Sequence, residues 1–145
     1  MTNKLKIAFA CNLFVAIGFM VQGLVYFFSS QFMPYHANIT GCAWTEVPPE
    51  FQPLILALIR GGGIASFTSG LAIAVLTFIP FRKAQTWSRW AITGIGLCGT
   101  LPLLTIIISL HVKMDSPPLP LLILAIGLLI AGFLFSSNMN HTKTS

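Results

Sequence analysis

The sequence predicts an all-α membrane protein, a bundle of four transmembrane helices with an ordered outer loop between the first and the second. Three observations lead to this prediction. Four apolar stretches alternate with polar or proline-rich connectors, 55% of the 145 residues are hydrophobic, and only 8% are charged. Soluble domains carry about 25% charged residues, and one helical span takes about 20 apolar residues. The whole chain, 1–145, is therefore predicted to form one transmembrane domain.

The first helix is predicted over about residues 7–28. This run is longer than the roughly 7 to 15 apolar residues of a signal peptide, so we expect it to stay in the protein. Cys11, Val15, Gly18 and Gln22 follow one another at spacings of three or four, which places them on one side of a helix. That side is predicted to face protein.

The outer loop, residues 29–52, is too long for a tight turn. Its aromatic content is typical of a segment that lies in the headgroup region, where amphipathic rings settle. We predict a short helix or a folded cap at the membrane surface. The side chains suited to that position are Phe32, Met33, Tyr35, Trp44 and Phe51.

The second helix is predicted over about residues 53–79. Gly62, Ser66, Gly70 and Ala74 recur in it every four residues. Small residues at this spacing allow another helix to approach closely in a membrane. They are predicted to form the packing seam of the bundle.

Arg60 is the charged residue inside that second apolar stretch, about 10 Å from its start at Pro53. A guanidinium that leaves water needs a partner and full hydrogen bonding. Two interpretations follow: Arg60 is a structural pin that pairs with Glu46 or Glu50 of the loop, or it anchors the head of a ligand under the loop.

The third and fourth helices are predicted over about residues 90–110 and 119–135. A basic connector, PFRKAQTWSRW, precedes the third helix, and a proline-rich connector precedes the fourth. The polar tail, 136–145, is predicted to be disordered and cytoplasmic.

The distribution of charge predicts the orientation. Cytoplasmic loops of membrane proteins carry an excess of lysine and arginine. Under the predicted topology six basic residues share one side with both termini, so both termini are predicted to be cytoplasmic. That side holds Lys4, Lys6, Arg82, Lys83, Arg89 and Lys143, and the other holds Lys113, Glu46, Glu50 and Asp115.

The outer side also collects the groups capable of binding or acid–base chemistry. We expect a small binding or accessory subunit without catalysis of its own, with a polar site under the loop. The alternative is an enzyme or transporter that handles a quinone, isoprenoid or acyl chain in a cavity between the first three helices. The candidate ligand-binding residues are Arg60, His36, Tyr35, Trp44, Glu46 and Glu50.

Other partners follow from composition. His36, Cys42, Glu46 and His111 are metal donors by residue type, but their spacing matches no metal motif, so no metal is predicted. The basic residues are scattered, which argues against nucleic acid. We expect contact with the lipid bilayer and a lipophilic small molecule, and a homo-oligomer or larger membrane complex fits the small-residue stripe.

Several short motifs stand out along the chain: Phe32-Met33-Pro34-Tyr35-His36, Trp44, Arg60 with its glycines, Pro80-Phe81-Arg82, Trp87 and Arg89-Trp90. Together they resemble a group of small bacterial inner-membrane proteins with four helices, similar in size and layout to the DoxX-like set. The resemblance covers about residues 7–135 and implies a four-helix fold in a bacterial inner membrane, with no established activity to carry over.

Overall fold

The structure is a computed structural model, and it describes residues 2–109 and 118–137. Within these residues every regular element is helical, which confirms the all-α class. The helices are α1 (Asn3–Phe27), α2 (Pro34–Thr40), α3 (Gln52–Leu76), α4 (Thr86–Ser109) and α5 (Pro118–Phe135), with a 3₁₀ turn at Trp44–Glu46 and a π-helical turn at Thr77–Phe81.

Three helices of the described chain are long and apolar enough to cross a membrane: α1, α3 with its extension to Phe81, and α4. Large apolar side chains are exposed along them, such as Phe14 (62%) and Leu58 (69%). A soluble monomer rarely exposes apolar side chains so extensively, whereas lipid solvates them. The membrane character of the chain is thus confirmed. The α5 helix is more apolar than these three but shorter, with 18 residues, about 27 Å at 1.5 Å per residue.

Two helices begin about one turn earlier than predicted. α1 begins at Asn3 because the Thr2 hydroxyl accepts a hydrogen bond from the Leu5 N–H at 3.4 Å and caps the helix. α4 begins at Thr86, with the Ser88 hydroxyl donating to the Gln85 carbonyl at 2.6 Å. Both helices thus extend into their basic flanks, and in α1 the side chain of Thr2 caps the extension.

Pro80 explains how α3 ends. Proline has no N–H to donate, and around it the backbone widens into the π-helical turn. A tight turn follows, with Ala84 at a φ of 52°. The Gln85 N–H donates to the Pro80 carbonyl at 3.0 Å and closes the turn. The chain reverses here, and α4 packs back against α3.

The seam between α1 and α3 is built from glycines. A Cβ added at Gly23 would lie 2.6 Å from the Phe67 nitrogen, and one at Gly63 would lie 2.7 Å from the Gly23 carbonyl oxygen. Gly70 sits equally close to the Ala16 carbonyl, at 2.6 Å. These are backbone contacts, so the two helices touch along their main chains.

Of the predicted stripe, Ser66 and Gly70 lie at this seam and Gly62 does not. The Ser66 hydroxyl donates to the Phe19 carbonyl of α1 at 3.1 Å, and Ala74 packs against the core. Nothing lies within 4 Å of a Cβ placed at Gly62. A strict four-residue repeat drifts about 40° around an α-helix at each step, so the seam follows alternating spacings of three and four and includes Gly63 instead.

The apolar helix α5 packs against α1 and α4. Gly96 of α4 lies against the Leu129 side chain, and Gly132 lies against Asn12 of α1. The main core joins all the long helices through Ala8, Val15, Ala16, Phe19, Ile73, Phe81, Ile92 and Leu129.

Arg89 is buried rather than exposed in a loop. Its Nη1 donates to the carbonyl of Ser136 at 3.3 Å, and its guanidinium carbon lies 4.5 Å from the centre of the Phe133 ring. A cation at the C-terminal end of a helix is favoured by the exposed carbonyls there. Ser136 is fully buried and therefore does not belong to a disordered tail; residues 138–145 lie outside the described chain.

Candidate ligand-binding cleft

One face of α1 forms the first wall of a large cleft. Val15, Gly18, Gln22 and Tyr26 line this wall at spacings of three and four. Gly18 has nothing within 4 Å of its Cβ position, so the wall is indented there. The sequence predicts that this side faces protein, but at Gly18 and Gln22 it faces the cleft.

The short helix α2 covers one end of the cleft. Pro34 occupies its first turn, and Gly41 ends it with a φ of 65°. The Met33 N–H donates to Nδ1 of His36 at 3.2 Å, so this histidine replaces the glutamate or glutamine of a usual capping box. The local sequence thereby fixes the backbone of α2 and the ring of His36 together.

Aliphatic side chains of α4 and α5 form the opposite wall. The volume of the cleft is about 630 Å³, and it is partly open to the surroundings of the bundle. The residues from these two helices are Leu103, Ile106, Ile107, Leu121, Leu122, Leu124, Ala125 and Leu128.

Polar groups collect at the α2 end. Gln22 and Tyr26 come from α1, and Tyr35 and His36 come from α2. The hydroxyls of Tyr26 and Tyr35 hydrogen-bond to each other, and the Tyr35 and His36 rings lie 4.2 Å apart between centroids. No charged residue of the described chain lines the cleft. The arrangement is a long apolar body with a small uncharged polar end.

Burial lowers the pKa of His36 below its ordinary value. The imidazole is therefore neutral at neutral pH. Because Nδ1 accepts the Met33 N–H, the proton of the neutral ring is on Nε2. The cleft-lining groups near His36 are the two tyrosines and Gln22, while α4 and α5 contribute aliphatic side chains only. His36 thus offers the cleft a hydrogen-bond donor.

The structure brings two of the six candidate residues, Tyr35 and His36, to this cleft. Glu46 accepts a hydrogen bond from the Ala43 N–H at 2.8 Å, within its own turn. Trp44 packs edge-to-face on Phe32, with ring centroids 5.1 Å apart. Neither lines the cleft, and Glu50 is exposed in the loop.

Arg60 has a different partner from the predicted one. Its Nη2 donates to the carbonyl of Ser29 at 3.2 Å, and the side chain is exposed. It therefore ties α3 to the end of α1 through a backbone carbonyl rather than through Glu46 or Glu50. A long side chain that starts inside an apolar helix reaches a polar group near the helix end in this way.

Tyr26 was not among the sequence-based candidates. The signal for it was present, since Tyr26 follows Gln22 by four residues on the same face as Val15 and Gly18. Within the described residues no three His, Cys, Asp or Glu side chains come together as a metal site. His111 and Asp115 lie outside those residues.

Comparison of the chain with protein-family models, curated proteins and solved structures finds no match. The cleft and its polar end are thus interpreted from their geometry alone.

Substituting Arg60 tests whether this arginine takes part in ligand binding. We expect Arg60→Gln to change the free energy of unfolding by about 1 kcal/mol or less, because an exposed charged group contributes little. Ligand binding in the cleft should stay unchanged, since Arg60 does not line it. Melting temperature in detergent and a binding assay measure the two effects. Loss of binding at unchanged melting temperature would make Arg60 a ligand anchor.

Proposed function

We propose that this chain is a four-helix membrane protein that binds one lipophilic small molecule in the cleft between α1, α2, α4 and α5. It acts as a binding or accessory subunit, without catalysis of its own. The observation that supports this most directly is the form of the cleft, a volume of about 630 Å³ with an apolar body and an uncharged polar end. Sites for small molecules span about 300 to 1,000 Å³ and combine apolar walls with a few polar groups.

The proposal includes a membrane placement. α5 serves as the fourth span, and both termini lie on the cytoplasmic side of a bacterial inner membrane. The positive-inside rule supports this orientation. Lys4 and Lys6 lie at the start of α1, Arg82 and Lys83 lie in the turn between α3 and α4, and both places would face the cytoplasm. The α2 end of the cleft then lies near the outer headgroup region.

An enzyme or transporter for a quinone, isoprenoid or acyl chain is the second candidate function. The size of the cleft favours it, as does the placement of the neutral His36 imidazole beside Tyr35. A neutral imidazole next to a phenol is able to relay a proton to a bound carbonyl. This candidate places its substrate between α1, α4 and α5 at the α2 end, away from Arg60.

Saturable photolabelling tests the proposed binding. The purified chain in lipid nanodiscs is exposed to an uncharged alkyl probe that carries a diazirine, and cross-linked residues are mapped by mass spectrometry. We expect labelling of the cleft walls on α1, α4 and α5 to saturate at one probe per chain. Labelling that rises linearly with probe concentration and spreads to lipid-facing residues such as Leu71 and Val75 would overturn the proposal.

A further inference from the structure

The polar end of the cleft lacks charge. None of the described residues that line it is Lys, Arg, Asp or Glu, and Arg60 is engaged with the Ser29 carbonyl elsewhere. A carboxylate or ammonium head moved out of water without a partner costs several kcal/mol. An anionic or cationic head group is therefore disfavoured in this cleft.

The same polar end has hydrogen-bond donors to offer. Nε2 carries the proton of the neutral His36 ring, because Nδ1 accepts the Met33 N–H. In the pair formed by Tyr26 and Tyr35, one hydroxyl donates to the other, and the second keeps its own hydrogen. A ligand oxygen that accepts hydrogen bonds but donates none is able to satisfy both the His36 N–H and the free tyrosine hydroxyl.

We infer that the cleft selects a ligand whose head is a neutral carbonyl oxygen, of the ketone or quinone class, on a long apolar body. The carbonyl accepts from Nε2–H of His36 and from a hydroxyl of the tyrosine pair, while the body lies against α4 and α5. This inference rests on the proposed binding function and names the chemical class of its ligand.

The position of α2 supports the inference. Phe32 packs edge-to-face on both His36 and Trp44, at centroid distances of 6.3 Å and 5.1 Å. These rings and the bond from Met33 hold the imidazole in one orientation. A donor that is already oriented loses little conformational freedom when a ligand binds, so its hydrogen bond contributes more to affinity.

Competition between matched ligands tests the inference. A long-chain methyl ketone and the fatty acid of equal chain length each compete with the diazirine probe in nanodiscs at about pH 8, where a carboxylic acid is ionised and an imidazole is neutral. We expect the ketone to displace the probe at a concentration at least about tenfold lower than the fatty acid does, which corresponds to a difference in binding free energy of about 1.4 kcal/mol.

Removal of the phenol hydroxyls provides the matched variant. In the double variant Tyr26→Phe/Tyr35→Phe the affinity for the ketone should fall about tenfold, because a hydrogen-bond donor is lost. The melting temperature should stay unchanged, because both rings remain in place. Thr105→Val serves as the control: it removes an exposed hydroxyl on α4 that bonds to its own helix and does not line the cleft. Its ketone affinity should equal that of the unsubstituted chain.

Three outcomes separate this inference from the function on which it rests. A preference for the ketone that the double variant reduces supports both. Equal or better competition by the fatty acid overturns the inference and leaves the binding function standing. Unsaturable labelling that neither compound reduces overturns both.

Discussion

Replacing Gly63 with alanine is expected to destabilise the bundle by about 1 to 3 kcal/mol, the usual cost of overpacking. The new methyl group would lie 2.7 Å from the Gly23 carbonyl oxygen and 2.8 Å from the Phe27 nitrogen. Both are backbone atoms, which cannot rotate away as a side chain does. α1 and α3 must therefore separate, and the loss of packing along the seam exceeds the gain in helix propensity of about 1 kcal/mol.

Gly62 provides an adjacent control in the same helix. Nothing lies within 4 Å of its Cβ position, so Gly62→Ala should leave stability unchanged or raise it slightly. Reversible unfolding of the purified chain in mixed micelles measures both variants. Equal effects of the two substitutions would contradict the direct contact between the α1 and α3 backbones. Gly70→Ala, against the Ala16 carbonyl at 2.6 Å, should behave like Gly63→Ala.

This pair of neighbouring glycines also shows what the sequence could predict of the fold. Length and hydropathy were sufficient for the all-helical class and for three membrane-capable helices, because both follow from composition within a single segment. The seam was predicted on the correct helix and in the correct region. Gly62 lies off the seam and Gly63 lies on it, because a strict four-residue spacing drifts about 40° around an α-helix at each step, whereas the contact with α1 follows spacings of three and four.

Arg60 and Arg89 illustrate a second limit. Arg60 stands out in the sequence because it lies within an apolar stretch. Arg89 was interpreted only as a basic residue of a connector. In the structure Arg60 is exposed and reaches a carbonyl, whereas Arg89 is buried between Phe133 and the Ser136 carbonyl. The difference arises because α4 begins earlier than its apolar run, which brings Arg89 against the end of α5. Hydropathy alone does not indicate where a helix begins.

The candidate site was predictable only in part for a related reason. Tyr35 and His36 are recognisable as polar residues of an aromatic loop, and Gln22 as a polar residue on one face of α1. Their meeting depends on how α2 packs over α1, where the hydroxyls of Tyr26 and Tyr35 hydrogen-bond to each other, and no single segment of the sequence encodes that packing. The opposite wall comes from α4 and α5, whose aliphatic side chains carry no sequence signal that distinguishes a cleft from a lipid-facing surface.

Filling the cleft from its α1 wall should abolish ligand binding without unfolding the protein. Gly18 lines the cleft, and its Cβ position has no neighbour within 4 Å, so Gly18→Leu directs a large side chain into empty space. We expect the affinity for the diazirine probe to fall at least about tenfold, since the leucine takes volume that the ligand needs. Stability should not fall, because leucine is a better helix former than glycine.

Gly127→Leu is the matched control for this experiment. Gly127 is also an exposed helical glycine with nothing within 4 Å of its Cβ position, but it lies on α5 outside the cleft lining. Both leucines should affect the melting temperature alike, and only Gly18→Leu should lose saturable labelling of α4 and α5. Retained labelling in Gly18→Leu would mean that the probe binds elsewhere, and the cleft would then be a lipid-facing groove. Both variants replace an exposed helical glycine with leucine, and only Gly18 lines the cleft. A loss of labelling in Gly18→Leu that Gly127→Leu does not share therefore identifies the cleft as the binding site.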